Sequence, residues 1–334
     1  LRRLAFVATV LAAAVLAIAG VLAWAWLNQP LTLRQGASVE IDVESGRSPR
    51  EIARAVVEAG VDTSDWLLFQ WFRGSGQARQ IRAGSYEIAP GTTPRELLRK
   101  LVDGDQALAR LRLIEGWTFR QFRTELARNA GLRQDTAAMS DADLMAALGA
   151  PGTAPEGRFF PDTYAYARGS SDLAVLRRAH AAMARRLEQA WALRAPDTPL
   201  RSPDDLLTLA SIVEKETGRA DDRPQIAGVF VNRLRLGMPL QTDPTVIYGL
   251  GERFDGNLRK KDLQADTPYN TYTRNGLPPT PISMPGRDAL MAAVQPARTR
   301  ALYFVARGDG TSVFSETLAD HNRAVDQFQR RAGR

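Results

Sequence analysis

Two carboxyls, Glu214 and Glu216, flank Lys215 at the end of a run, Leu206-Leu207-Leu209-Ala210-Ile212-Val213, whose apolar spacing predicts a helix. On 3.6-residue geometry Glu216 shares a strip with Leu209 and Ile212, Glu214 lies beside Leu207 and Ala210, and Lys215 points away from both. A carboxyl against an apolar wall is desolvated, so its pKa rises and it keeps a proton near neutral pH. A general acid is made in this way. Periodicity does not choose between the two glutamates. It also leaves open the plain reading of solvated charges in the last turn of an ordinary helix.

The rest of the composition narrows the chemistry. The 334 residues contain no cysteine, so neither a thiolate nucleophile nor a disulfide framework exists. The histidines, His180 and His321, are far apart and form no zinc motif or serine triad. There is no phosphate-binding glycine loop and no nucleophile elbow. No cofactor and no metal site is expected, and carboxylate chemistry gains weight. The net charge is +7, carried by arginine. It favours anionic surfaces. No dense basic run interleaved with aromatics is present, so nucleic acid is not an expected partner.

The elements that must position these carboxyls follow from the N-terminus. Arg2 and Arg3 precede an uncharged apolar run from Leu4 to Leu27, with Trp24 and Trp26 at its far end. Its length suits a transmembrane helix, and the arginines predict a cytoplasmic N-terminus with the remainder outside. A cleaved signal peptide, using Ala23-Trp24-Ala25, is the rival reading, but the run is long for one. A polar linker over 28–37 and a strand over 38–43 come next. The segments 44–60, 89–104 and 114–131 repeat a Gly-x-Ser/Thr-x-Arg-Glu/Gln-apolar pattern, in which Ser48, Thr93 and Thr118 should cap helices. With a helix over 65–76 and a strand over 83–88, the first two units make a small strand–helix–helix–strand module. It reads as a generic spacer or as a glycan-binding module.

Beyond it, Leu111–Ile114 predicts a strand. PEGRFFPDTYAY, 155–166, suits the wall of a cleft or an aromatic-rich buried loop. A long helix is expected over 171–194 with His180 on its face, and another from Asp221–Pro224 to Gly237, with Ile226, Val229, Phe230 and Leu234 in the core and Asn232 and Arg233 on the flank. Residues 240–249 should begin extended and become a turn, with Asp243-Pro244 as a cap and first-turn pair. The Pro-rich loop 269–286 carries Tyr269, Asn270 and Tyr272, aromatic-plus-amide content that suits a sugar platform. A hairpin is expected over 301–315, with Gly308-Asp309-Gly310 at its turn, and a final helix over 321–328, where His321 reads as structural. The fold class is α+β.

At ASIVEKET (210–217), QTDPTVIYG (241–249), YNTY with GLPPTPI (269–282), LYFVARGDG…FSETLADHN (302–322) and PEGRFFPDTY, the sequence resembles the MltG/YceG-like endolytic murein transglycosylases. The resemblance runs in order over nearly the whole chain. It implies a transmembrane anchor over 1–30, a LysM-like module over 38–108 and an α+β catalytic domain over 109–334 with the catalytic glutamate at the end of a helix. It implies a lyase that cleaves the MurNAc–GlcNAc β-1,4 bond within nascent peptidoglycan strands and leaves 1,6-anhydroMurNAc ends, which would terminate glycan elongation. Of the two glutamates it selects Glu216 as acid and then base. Glu214 becomes a substrate-side residue, and Gln241, Thr242, Asn270 and Tyr272 become the candidates for sugar contacts. It implies placement in the inner membrane with the catalytic domain in the periplasm, and allows for a peptidoglycan synthase of the penicillin-binding type as a partner. Family members commonly carry a His where this chain has Ser312. By themselves the anchor and the repeat module would equally fit a wall-binding scaffold with no activity.

Overall fold

The computed structural model describes residues 2–34, 38–44, 46–106 and 108–330. Leu1 and residues 35–37 of the expected linker lie outside them. The chain divides into two units, Leu1–Arg110 with Ala165–Ser170, and Leu111–Tyr164 with Ser171–Arg334.

In the first unit, α1 (Arg2–Asn28) is the apolar N-terminal helix. Residues Val10–Asn28 have a mean hydropathy of 2.4, long and apolar enough to cross a bilayer. The expected strand and second strand are β2 (Val39–Val43) and β4 (Gly84–Ile88), and between them lie α2 (Pro49–Glu58) and α3 (Asp65–Gly74). β2 and β4 pair antiparallel, Val39 opposite Ile88 and Ile41 opposite Tyr86. The period-2 alternation of β2 buries Ile41 and Val43 and exposes Glu40 and Asp42. They join Ile52 and Val56 of α2, Leu68 and Phe72 of α3, and Leu97 and Leu101 of α4 (Pro94–Asp103) in one core. A short ladder of β1 (Thr32–Leu33) and β3 (Val61–Asp62) was not anticipated, because two-residue strands carry no readable alternation.

The repeat pattern has the expected cause. Ser48, Thr93 and Thr118 each form a capping box, the last opening α5 (Phe119–Arg128). β5 (Leu108–Arg112) pairs with β6 (Thr163–Ala167). The strand expected at Leu111–Ile114 therefore lies earlier in sequence, and the aromatic segment ends as a strand. The helix α6 (Asp141–Ala147) lies between α5 and β6, in a stretch that reads as polar and irregular.

In the second unit, α8 (Pro203–Glu216) is the central element. Every residue from Leu206 to Val213 is buried. It packs against α7 (Asp172–Ala192), α9 (Arg223–Arg235), α10 (Asp243–Leu250) and α12 (Arg287–Val294). A helix apolar all round can only sit inside other elements. The short α11 (Lys260–Gln264) precedes the 269–286 loop. β7 (Tyr303–Ala306) and β8 (Ser312–Ser315) form the expected hairpin, with Ser312 opposite Ala306, and α13 (Leu318–Val325) follows.

Thr93→Ala removes the hydroxyl that accepts from Glu96 N–H and donates to the Glu96 carboxylate, and leaves the backbone N–H at 93 as that carboxylate's remaining donor in the capping box. It should lower unfolding free energy by about 1 kcal/mol, read from the thermal transition of the full chain.

Candidate active site

Glu216 is the last residue of α8, whose start is fixed by Ser202, its hydroxyl accepting from Asp205 N–H, and by Pro203 in the first turn. α8 is also pinned near its C-terminal end. Ser211 Oγ accepts from Ile282 N–H at 3.0 Å, and Ser283 Oγ donates to the Ser211 carbonyl at 3.1 Å. This ties the Pro-rich loop to the helix.

The two glutamates have different surroundings. Glu214 accepts from Arg223 Nη2 at 3.0 Å and from Gly286 N–H at 2.9 Å, with little of either charged side chain exposed. Burial pushes its carboxyl up, against the pull of Gly286 N–H and the Arg223 cation. Among the described residues no basic side chain pairs with Glu216. Burial pushes Glu216 up to about 7, the Thr242 hydroxyl opposes this, and the nearby Asp243 carboxylate adds to it. At neutral pH a proton on Glu216 is therefore available, with no cation to hold the carboxylate ionised.

Thr242 is buried and donates its hydroxyl to Glu216 Oε1. Its own backbone is fixed by buried threonines: Thr242 N–H donates to Thr271 Oγ1 at 3.1 Å, and the hydroxyls of Thr245 and Thr271 meet at 2.8 Å. Asp243 does not cap α10, as the sequence suggests. It is the first residue of that helix, Thr242 is the N-cap position, and the Asp243 carboxylate accepts from Tyr272 Oη at 2.6 Å. Residues 243–250 continue as a full helix rather than a turn, since Pro244 in the first turn pre-sets its backbone.

Gln241 is exposed and has φ +53°, the only left-handed non-glycine residue among those described. Such a conformation costs about 1–3 kcal/mol and persists only where neighbours enforce it. The enforcing group is Arg233. Its Nη1 donates to the carbonyls of Pro239 and Leu240 at 3.0 and 3.1 Å and to Gln241 Oε1 at 3.2 Å, and its Nε donates to Leu302 O at 2.6 Å. The expectation that Arg233 lies on a flank is wrong, because Arg233 is buried. It stands seven, four and three residues beyond Ile226, Val229 and Phe230, so the periodicity already put it on the core face. Asn232 uses its amide on the carbonyls of Thr299 and Ala301.

Asn270 is fully buried. Its amide donates to the carbonyls of Asp262, Leu263 and Ala265, at 3.3, 3.0 and 2.7 Å, and its carbonyl accepts from Tyr272 N–H at 2.9 Å. It caps α11 and shapes the loop that presents Tyr272. Thus Glu216, Thr242, Asp243 and Tyr272 come together with Gln241 adjacent in sequence, while Asn270 and Glu214 have their polar atoms committed to protein.

Glu156 escaped the sequence reading. It is buried in the aromatic segment, accepts from Phe119 N–H at 3.0 Å and from Tyr248 Oη at 3.1 Å, and burial pushes it up to about 7. Tyr248 packs edge-on against Tyr269, which hydrogen-bonds Thr280 at 2.8 Å. Gly157, at φ +79°, lets this turn touch the loop; a Cβ there would lie 2.5 Å from Pro281. The available signal was an acid among apolar residues immediately before a glycine. His180 lies against Phe159, and His321 stacks on Tyr303; burial lowers both pKa values, so both are neutral ring contacts. Among the described residues no group of His, Asp and Glu could hold a metal ion.

The sequence model of the YceG-like family matches residues 41–327. The endolytic murein transglycosylase of Bacillus subtilis is 32% identical over 319 residues, covering 90% of this chain and 88% of that protein. The one from Streptococcus pneumoniae serotype 2 is 28% identical over 330 residues, covering 89% of this chain and 59% of its own longer chain. The crystal structure of a putative YceG-like protein from Listeria monocytogenes superposes with a TM-score of 0.55 at 29% identity, covering 86% of this chain and 98% of that one. The chain belongs to the YceG-like family.

Glu156 holds an extra proton in the folded state between its ordinary pKa of 4.5 and about 7. Stability contributed by that proton is full below the lower value and is lost as pH rises through the upper one. Glu156→Gln should flatten the fall in thermal stability across that window; the slope that remains belongs to the other carboxyls that burial pushes up, Glu216 and Glu214.

Proposed function

We propose that the chain is an endolytic murein transglycosylase, a lyase that cleaves the MurNAc–GlcNAc β-1,4 bond within peptidoglycan strands. The observation that carries this is Glu216, a carboxyl near pKa 7 with no cationic partner among the described residues, held by the Thr242 hydroxyl at the end of a buried helix. Family membership and the names of the relatives support it.

Glu216 protonates the glycosidic oxygen, and the bond from that oxygen to C1 of MurNAc breaks. The GlcNAc side leaves with the proton as a free 4-hydroxyl. The Glu216 carboxylate then takes the proton of the MurNAc C6 hydroxyl as that oxygen bonds to C1. The product is a 1,6-anhydro ring, the acid is restored, and no water is consumed. Because the nucleophile belongs to the substrate, proximity replaces the second carboxylate that glycosidases use. Thr242 orients the carboxyl. Asp243, by its charge, disfavours ionisation of Glu216. Gln241 and Tyr272 are our candidates for sugar contacts, while Asn270 and Glu214 frame the site.

On the same reading, residues 1–30 anchor the protein in the inner membrane with the N-terminus in the cytoplasm, residues 38–108 are a LysM-like glycan-binding module, and residues 109–334 act in the periplasm. Nascent strands are the substrate, and a peptidoglycan synthase is the natural neighbour.

Purified full-length protein should convert uncrosslinked glycan chains to fragments with anhydroMurNAc ends, identified by mass spectrometry. Reducing MurNAc ends instead would make it a hydrolase. Glu216→Gln should abolish turnover. Glu214→Gln should keep it while costing up to roughly 3 kcal/mol of stability, since Arg223 loses its buried carboxylate and keeps the more exposed Asp288 at 3.6 Å; the reverse pattern refutes the choice of acid. Cleavage should fall as pH rises through about 7, where Glu216 loses its proton. Asp243→Asn removes a negative charge, lowers the Glu216 pKa and should move that limb to lower pH.

A further inference from the structure

Besides α1 itself, the described residues of the first unit leave apolar surface exposed on α3. Leu68 and Phe72 face the core of the unit, whereas Trp66, Leu67, Gln70 and Arg73 share the opposite face. Trp66 is 60% exposed and Leu67 39%. A tryptophan and a leucine side by side in water are costly on a small module, at about 25 cal/mol per Å² of apolar surface.

Their position relative to α1 identifies what covers them. The C-terminal end of α1 packs on the module: Trp26 lies against its core, and α1 contacts α4. Alongside that end runs an apolar groove of about 580 Å³, lined by Leu22, Trp26 and Leu27 of α1 and by Leu67 and Trp71 of α3. On the α1 side the groove reaches back to Ala19. Ala19 lies about 13 Å of helix before Asn28, at 1.5 Å per residue. It belongs to the apolar stretch Val10–Asn28. The groove and the exposed face of α3 are therefore continuous with the part of α1 that would sit in the bilayer.

We propose that α3 is a membrane-interface helix: Trp66 and Leu67 enter the headgroup–acyl boundary of the bilayer that α1 spans, and acyl chains fill the groove between α3 and α1. The chemistry on the face fits. Tryptophan is the residue type enriched at that depth, leucine supplies apolar area, and Arg73, exposed in the last turn of α3, suits anionic headgroups. The module is then tied to the membrane surface by a second contact besides the chain connection. This rests on the reading of α1 as an anchor.

The sequence has no cysteine, so single labels can be placed cleanly. Leu67→Cys, Leu16→Cys in α1 and Glu188→Cys on the exposed face of α7 would each carry an environment-sensitive fluorophore. The full chain would be reconstituted in phosphatidylethanolamine–phosphatidylglycerol vesicles, with lipid-borne nitroxide or aqueous iodide as quencher. The labels at 16 and 67 should lose most of their emission to the lipid quencher and little to iodide, with the reverse at 188. A label at 67 quenched by iodide while the one at 16 responds to lipid overturns the inference and leaves the anchor reading standing. A label at 67 shielded from both quenchers means that protein covers the face, which also overturns it. A label at 16 in water overturns the anchor reading and this inference together. Matching thermal transitions for Leu67→Cys and the parent chain establish that the label reports on the native fold.

Discussion

A carboxyl that stays protonated at neutral pH must be withheld from both water and cations, and the second unit is built around that constraint. Glu216 can meet it because α8 is buried from Leu206 to Val213, which brings the last residue of the helix out at the protein wall. Thr242 supplies a neutral hydroxyl rather than an ammonium or guanidinium. Two residues earlier, on another side of the same helix, Glu214 is paired with Arg223. Two neighbouring glutamates on one helix thus acquire different surroundings, Glu214 beside a buried guanidinium and Glu216 beside a hydroxyl.

The geometry around Glu216 is held by small, buried hydrogen bonds. Thr242, Thr245 and Thr271 interlock through hydroxyls and backbone, and Asn270 fixes the loop that delivers Thr271 and Tyr272. In such a network each buried group is satisfied by another member, which favours one arrangement. It differs from the Glu156 network, in which a titratable group joins the N-terminal end of α5 to α10 through Tyr248. The first fixes the surroundings of Glu216; the second joins elements distant in sequence, α5 and α10.

Much of this was legible from residue types. The capping boxes at Ser48, Thr93 and Thr118 follow from local chemistry, and so do the strand–helix–helix–strand module and the long apolar helix ending in glutamate. The choice between Glu214 and Glu216 was not legible from spacing, because it depends on Arg223 and Gly286, which come from other elements. The same holds for Asp243. Asp-Pro is a good helix-start signal, yet Thr242 occupies the cap position and Asp243 meets a tyrosine from a loop nearly thirty residues on. Arg233 was misread for a different reason. Its position in the periodic pattern was visible, but a charged residue was assumed to prefer water, and here three backbone carbonyls and one side-chain amide replace that water.

Arg233 also bears on how much of the C-terminus the protein can lose. One of its acceptors is Leu302 O, immediately before the β7–β8 hairpin, and its guanidinium lies 5.0 Å from the centre of the Tyr303 ring. The other acceptors are at Pro239, Leu240 and Gln241, in the segment that leads into α10. Trimming the chain before the hairpin would expose one side of a buried cation and remove a charged hydrogen bond, a loss of roughly 1.5–3 kcal/mol. That loss would fall on the segment whose left-handed residue has the least margin. The hairpin, remote in sequence from Glu216, therefore buttresses the segment that delivers Gln241 and Thr242.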